Sequence, residues 1–176
     1  MKHQLQGLFL CVFASMSLLL SCKKEIATVP ETGTVSATLQ MNEEAKMVPI
    51  KGTYITTNEL LNPPPMLRQR VTGVGQSSHL GEGKFIAIST LNLTTPPPFH
   101  LDGTATFYAA NGDVFYTSFT GLAAPNPDGT RTVVMTHNIA GGTGRFEDAS
   151  GTFTGHTIAN LSSPTNKITY EGNISY

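Results

Sequence analysis

The sequence predicts an all-β domain: a closed, antiparallel, eight-stranded barrel in up-and-down order, preceded by an N-terminal signal helix. Charged residues make up only 13% of the chain, and tryptophan is absent. Threonine, valine, glycine and asparagine, which suit pleated strands and tight turns, are abundant. Short runs of alternating apolar and polar residues recur after residue 35, and no long segment there has a helical period. A two-sheet sandwich is the alternative architecture.

The strands are predicted from this alternation, in chain order. The first is short and weakly patterned, the third is polar and glycine-rich, and the fourth has apolar residues on both faces. Counting the weak first segment, the candidate strands cover residues 35–41, 48–57, 68–79, 84–94, 101–110, 114–121, 130–139, 151–160 and 167–176. Eight or nine sequential hairpin strands favour a closed barrel, because closure leaves no exposed sheet edge.

The connections between the strands are also marked in the sequence. Asn111-Gly112 lies between two alternating runs, which is a strong local signal for a β-hairpin. Proline cannot donate a hydrogen bond to a sheet, so the proline-rich segments 63–65, 96–98 and 125–129 each end a strand. The two Pro-Pro-Pro segments lie about two strands apart, which predicts that both lie at the same rim.

One predicted strand carries a candidate ligand site. Val133, Met135, His137 and Ile139 alternate along the strand and share a face. If that face lines the barrel interior, His137 lies beside a cavity with Met135 and Tyr54. A hydrogen-bonded core histidine is the structural alternative. Several small residues are predicted to point inward and to leave room for a ligand: Gly73, Gly75, Ala105 and Gly155.

The N-terminus has the layout of an export signal. Lys2 and His3 precede an apolar run over residues 8–20, and Ser21 and Cys22 follow it. The run is short for a permanent membrane helix, which takes ~20 apolar residues. This arrangement resembles bacterial lipoprotein signal peptides, although an ordinary secretory signal is the alternative.

The lipoprotein resemblance implies a processing scheme. Residues 1–21 would be cleaved, and Cys22 would carry diacylglycerol and an N-acyl chain. Stable anchoring takes more than one acyl chain, because each buried methylene contributes only ~0.8 kcal/mol. Residues 22–34 would form a flexible tether and residues 35–176 the barrel domain. The expected location is the bacterial cell envelope, with the outer membrane favoured and the leaflet left open.

Composition argues against nucleic acid as a partner and against a disulfide. Cleavage after residue 21 leaves ten basic against twelve acidic residues, a net charge of −2, and no basic stripe is present. Nucleic acid is therefore not an expected partner. The mature chain would retain Cys22 as its only cysteine, so no intramolecular disulfide is expected.

The most specific stretch of the mature chain is Gly-Gly-Thr-Gly-Arg-Phe, residues 141–146. Gly141, Gly142 and Gly144 would let a strand leave the sheet, and Phe146 would plug the barrel end. The stretch resembles the glycine turn of the allene oxide cyclase and dirigent barrels. Segments 79–81, 103–107 with 110–113, and 170–176 strengthen this likeness, which covers residues 70–176. It implies an eight-stranded barrel with a ligand-sized interior and homo-oligomeric assembly.

Catalytic residues of those families match no position here, so their chemistry is not inferred. Gly142-Thr143-Gly144 is not read as a phosphate loop, because no helix pattern follows it. His79, His100, His137 and His156 lack metal-ligand spacing. Glu147 and Asp148 are expected to cap the glycine turn or to pair with Arg145. No metal and no cofactor is predicted.

The sequence therefore favours a membrane-anchored barrel that binds a small apolar ligand or serves as a scaffold, without catalysis. The alternative is an enzyme of the cyclase or isomerase kind, acting on a ligand held in the barrel. A cavity with two or more convergent titratable groups would favour the enzyme, and an apolar interior would favour binding. A structural partner role in an envelope complex would require a large exposed apolar patch.

Overall fold

The computed structural model describes residues 46–176, which form a closed barrel of eight antiparallel strands. The strands are β1 (Val48–Asn62), β2 (Met66–Ser77), β3 (Gly81–Asn92), β4 (Phe99–Tyr108), β5 (Val114–Pro125), β6 (Arg131–Gly142), β7 (Ser150–Ala159) and β8 (Thr165–Ser175). Each strand pairs with the next, and β1 pairs with β8 to close the cylinder. The predicted barrel is confirmed, and the two-sheet sandwich is excluded for these residues.

Strand boundaries differ from the prediction mainly at two places. β1 continues to Asn62 and β5 to Pro125, several residues beyond the predicted ends. In both cases ladder pairing with a neighbouring strand holds the extra residues extended despite their weak alternation. A proline follows β1, and Pro125 is the last residue of β5, as the proline rule requires. The predicted strand 35–41 lies outside the described residues.

The Asn111-Gly112 connection forms a hairpin, but its turn is not the type I′ turn that an Asn-Gly pair favours. Gly112 has a φ of +92°, and its N–H donates to the carbonyl of Ala109. Asn111 keeps a negative φ, so the loop fits a type I turn followed by a left-handed glycine rather than a type I′ turn. Gly129 repeats this pattern between β5 and β6, where its N–H donates to the backbone carbonyl of Asn126.

The two ends of the barrel differ in composition. At one end lie the loops after β1, β3, β5 and β7, including both Pro-Pro-Pro segments, 63–65 and 96–98. The shared rim predicted for these segments is confirmed. At the opposite end lie the turns after β2 and β4, the connection from β6 to β7, and residues 46–47, where the chain enters the barrel. We call these the proline end and the plugged end.

An aromatic core fills the half of the barrel nearer the plugged end. Phe107 lies at its centre, stacked on Phe115 with ring centroids 4.8 Å apart. The Phe107 ring also meets Phe85 at 5.2 Å and Phe153 at 5.5 Å. Such packing of rings contributes beyond simple burial of area. The core is therefore solid toward the plugged end.

Two of the small inward residues, Gly73 and Gly155, make room for aromatic rings rather than for a ligand. A Cβ atom at Gly73 would overlap the ring of Phe85, and one at Gly155 would lie 2.7 Å from Tyr170 Cε1. Alternation of small and large side chains is how a small barrel fills its interior. The expectation that these positions leave a hollow middle is therefore wrong for Gly73 and Gly155.

Candidate functional site

A cavity of about 100 Å³ lies inside the barrel, between the aromatic core and the proline end. All eight strands contribute to its lining, because their inward residues alternate with outward ones. The walls are mostly apolar and include Leu67, Val71, Leu91 and Ile168. The cavity is thus an apolar pocket at one end of an otherwise filled barrel.

The order of residues along the strands gives the depth of the cavity. On β6 the lining runs from Arg131 at the rim through Val133 and Met135 to His137. The deepest lining residues of β3, β5 and β8 are aromatic, and they form a floor with His137: Phe85, Phe119 and Tyr170. The mouth carries Arg131 and the polar or loop residues Asn58, Gln69, Leu161 and Asn166.

His137 is held between aromatic rings. Its imidazole stacks on Phe153, with centroids 4.6 Å apart and planes 9° apart. Phe119 covers another side at 4.7 Å, and Tyr170 meets the ring edge-on at 5.3 Å. Only 1% of the residue is exposed. These contacts fix the plane of the imidazole ring. One hydrogen bond then fixes which ring nitrogen points in which direction within that plane.

That hydrogen bond joins Nδ1 of His137 to Oγ1 of Thr117, 3.0 Å apart and buried. Nε2 of His137 is also buried and has no hydrogen-bond partner among the described residues. Burial lowers the pKa of His137 from 6.5 to about 3, so the imidazole is neutral at pH 7. The hydrogen-bonded core histidine and the cavity histidine, given as alternatives, are both features of this residue.

The low pKa of His137 predicts that acid destabilises the barrel. Between about pH 3 and 6.5 the unfolded chain binds a proton that the folded chain excludes, so stability falls as pH falls through this window. From pH 7 to pH 5, the wild type should lose about 2 kcal/mol of unfolding free energy more than His137→Phe. Urea unfolding of both proteins at the two pH values measures this. A constant difference between them would contradict the account.

Tyr54 lies below the cavity rather than in its lining. Its ring packs in the aromatic core, 5.3 Å from Phe85 and 5.9 Å from Tyr170. Burial raises the pKa of Tyr54 to about 12 and that of Tyr170 well above its usual range. Of the three residues predicted for the cavity, Met135 and His137 line it and Tyr54 does not, and the tyrosine in the lining is Tyr170.

The polar residues that line the cavity with His137 were not predicted from the sequence, and Ser89 and Arg131 are among them. Ser89 is 4% exposed, and its hydroxyl has no partner among the described residues. Arg131 is the first residue of β6, and its guanidinium lies 5.5 Å from the Phe99 ring centroid. Alternation within the predicted strands places Ser89 on the same face as Phe85 and Leu91, so that position could have been found.

The glycine turn closes the other end of the barrel. Gly141 and Gly144 have φ values of +77° and +55°, while Gly142 stays in β6 and lets the backbone of β5 approach. Phe146 is fully buried and packs against Phe115 at 5.5 Å. Phe146 therefore lies at the plugged end of the barrel, away from the cavity mouth.

The partner of Arg145 is not one of the adjacent carboxylates. Its side chain lies 3.9 Å from Asp113, and its guanidinium covers the Phe146 ring and donates to the His79 carbonyl. Asp113 lies on the neighbouring hairpin, so the ion pair ties two turns of the plugged end together. The expected pairing of Arg145 with Glu147 or Asp148 is wrong.

The other histidines of residues 46–176 are distributed around the barrel. His79 lies in the β2–β3 turn, and His100 and His156 are exposed on the outer face. Within residues 46–176, no three His, Cys, Asp or Glu side chains come together to hold a metal ion. The same part of the chain holds no helix of the length and apolarity needed to cross a membrane.

Comparisons with protein-family models, with curated proteins and with solved structures find no match to this chain. The geometry of the cavity therefore carries the functional argument.

Proposed function

We propose that the barrel binds a small apolar or amphipathic ligand in the cavity at its proline end. The observation that carries this proposal is an apolar cavity in contact with a rigid aromatic floor and lined at its mouth by polar side chains. Binding sites for small molecules commonly combine apolar walls with a few fixed polar groups. Here those groups are His137 and Ser89 inside and Arg131 at the rim.

The volume limits the size of the buried part of the ligand. Pockets for drug-sized molecules are about 300–1,000 Å³, and an apolar cavity of about 150 Å³ holds benzene. At about 100 Å³ the cavity suits a short chain or one small ring, with any larger part of the ligand in the mouth. The proposed ligand is therefore small, or it inserts only one end.

Binding is favoured over catalysis by the chemistry of the floor. His137 and Tyr170 are titratable and adjacent, with ring centroids 5.3 Å apart, which is the arrangement that the enzyme alternative needs. However, burial moves both pKa values away from neutrality, that of His137 downward and that of Tyr170 upward. A general acid or base works best with a pKa near the operating pH. The cyclase or isomerase alternative thus lacks a suitable proton carrier at this floor.

A pair of alanines tests the cavity. Ala87 and Ala105 face each other across β3 and β4 and are 5% and 4% exposed, but only Ala87 lines the cavity. Ala87→Leu should fill cavity space and weaken binding of methylenecyclohexane at least tenfold, with unfolding free energy changed by less than about 1 kcal/mol. Ala105→Leu should instead overpack the core and cost about 1–3 kcal/mol.

Probe binding is measured by NMR titration and stability by urea unfolding. If Ala87→Leu bound methylenecyclohexane as tightly as the wild type, the cavity would not be the binding site. If the wild type bound no apolar probe, the proposed function would fail altogether.

The proposal also covers the cellular location of the protein and its resemblance to a known family. Lipid on Cys22 would hold the barrel in the bacterial envelope, and the resemblance to allene oxide cyclase and dirigent barrels supports a ligand-sized interior. The signal peptide, Cys22 and the tether lie outside the described residues. Homo-oligomeric assembly, which the same resemblance implies, stays a prediction of this proposal.

If Cys22 carries the lipid anchor, replacing this residue should change the cell fraction in which the protein is found. Cys22→Ala should abolish labelling by a fatty-acid analogue and move the protein from the membrane to the soluble fraction, because the acyl chains supply the membrane affinity. Ser21→Ala, which keeps the cysteine, is the control and should stay with the membrane. Unchanged fractionation of Cys22→Ala would contradict the lipoprotein assignment.

A further inference from the structure

The floor of the cavity contains a polar atom that the protein itself does not use. His137 lies at the deep end of the lining, and its Nε2 is buried and has no hydrogen-bond partner among the described residues. Leaving a buried polar atom unpaired costs more than a typical hydrogen bond contributes. The stacking on Phe153 and the hydrogen bond to Thr117 hold this atom in a fixed position.

The tautomer of His137 follows from counting hydrogen bonds. Among the described residues, the Thr117 hydroxyl has one hydrogen bond, the one to Nδ1. If the hydroxyl donates to Nδ1, its hydrogen is used, and one polar group, the N–H at Nε2, is left unpaired. If Nδ1 donates instead, both the hydroxyl hydrogen and the Nε2 lone pair are left unpaired. The first arrangement is favoured, so Nε2 offers a hydrogen-bond donor.

The surroundings decide the charge of the group that this donor would bind. Arg131, at the mouth, is the only residue of the lining with a formal charge at pH 7, and it lies six residues before His137 on β6. A carboxylate at the floor would lie among Phe119, Phe153 and Tyr170 without a cation beside it. Burying an ion without a partner is far more costly than burying a neutral polar group.

We propose that the cavity selects ligands with an uncharged hydrogen-bond acceptor, a carbonyl oxygen, and places that oxygen on Nε2 of His137 with the apolar body toward the mouth. This inference rests on the proposed ligand-binding function and names the chemical class of the ligand. A wholly apolar ligand of the same shape would leave Nε2 without a hydrogen-bond partner. The imidazole therefore sets specificity rather than carrying out a reaction.

A matched pair of probes tests the selection. Cyclohexanone and methylenecyclohexane have the same shape and differ in a C=O against a C=CH2 group. His137→Phe keeps an aromatic ring and removes the donor, and the ratio of the two dissociation constants cancels the different solubilities of the probes. The ratio of ketone to alkene dissociation constants should rise about tenfold in the variant. His156→Phe, on the outer face, should leave the ratio unchanged.

The outcomes separate this inference from the proposed function. An equal ratio in the wild type and His137→Phe, with both probes bound, would overturn the selection and leave ligand binding intact. Loss of binding of both probes by the wild type would overturn the proposed function itself. Cyclohexanecarboxylate should bind the wild type more weakly than cyclohexanone. Tighter carboxylate binding would overturn the requirement for an uncharged group.

A second measurement uses the unaltered protein, so it does not depend on the folding of a variant. The ¹⁵N resonance of His137 Nε2 should shift on titration with cyclohexanone and stay nearly fixed with methylenecyclohexane. Equal shifts with the two probes would overturn the inference.

Discussion

Replacing Phe107 with alanine should lower the free energy of unfolding by about 3–5 kcal/mol, the usual cost of removing a buried phenylalanine. Phe107 is 2% exposed and lies at the centre of the aromatic core, where its ring meets six others, including Phe115 at 4.8 Å. The surrounding rings are fixed by one another and by the closed sheet, so they cannot collapse into the space. Urea unfolding measures the loss.

Phe107→Leu is the control for this substitution, because leucine keeps much of the buried volume. It should cost clearly less than the alanine variant, about 1–1.5 kcal/mol. An alanine variant within about 1 kcal/mol of the wild type would show that the aromatic core does not hold the plugged half of the barrel together.

Replacing Gly73 with valine should be at least as damaging as ordinary overpacking, which costs about 1–3 kcal/mol. A Cβ atom at Gly73 would overlap the Phe85 ring. That ring cannot swing away, because Tyr54, Phe107 and Tyr170 enclose it at 5.2–5.7 Å. We expect a poorly folded or strongly destabilised protein, with a lower midpoint in urea and weaker near-ultraviolet dichroism.

Thr72→Val provides the matched control, because residue 72 is the adjacent position on β2, on the outer face. Valine suits a strand as well as threonine does, so this variant should lie within about 0.5 kcal/mol of the wild type. If Gly73→Val were equally stable, the glycine would not be required for seating the Phe85 ring.

Much of the fold could be predicted because local and global signals agree. Alternation predicted the face of β6 that carries His137, and prolines at residues 63 and 96 mark strand ends that the structure keeps. The glycine turn with Phe146 was predictable because positive φ values leave few alternatives to glycine. The longer β1 and β5 were not, since their last residues are extended by pairing with neighbours rather than by their own pattern.

The site was harder to predict than the fold, because alternation fixes the face of a residue but not its height in the barrel. Tyr54 and Tyr170 both point inward, yet only Tyr170 reaches the cavity. The stagger of the strands around the cylinder sets this height, and it follows from the closed register. The space beside the inward glycines could not be predicted for a related reason. Rings from the adjacent strands fill the space beside Gly73 and Gly155, and the pattern of one strand does not show which side chains its neighbours place there.

The central claim is an accessible apolar cavity at the proline end of the barrel, beside Met135 and above the His137 floor. A crystal structure of residues 46–176 under xenon pressure tests it most directly, because xenon enters apolar cavities of about this size. The account predicts one xenon site within the barrel, in contact with Met135 and the floor rings. A barrel interior with no bound xenon, filled by side chains from floor to mouth, would contradict it.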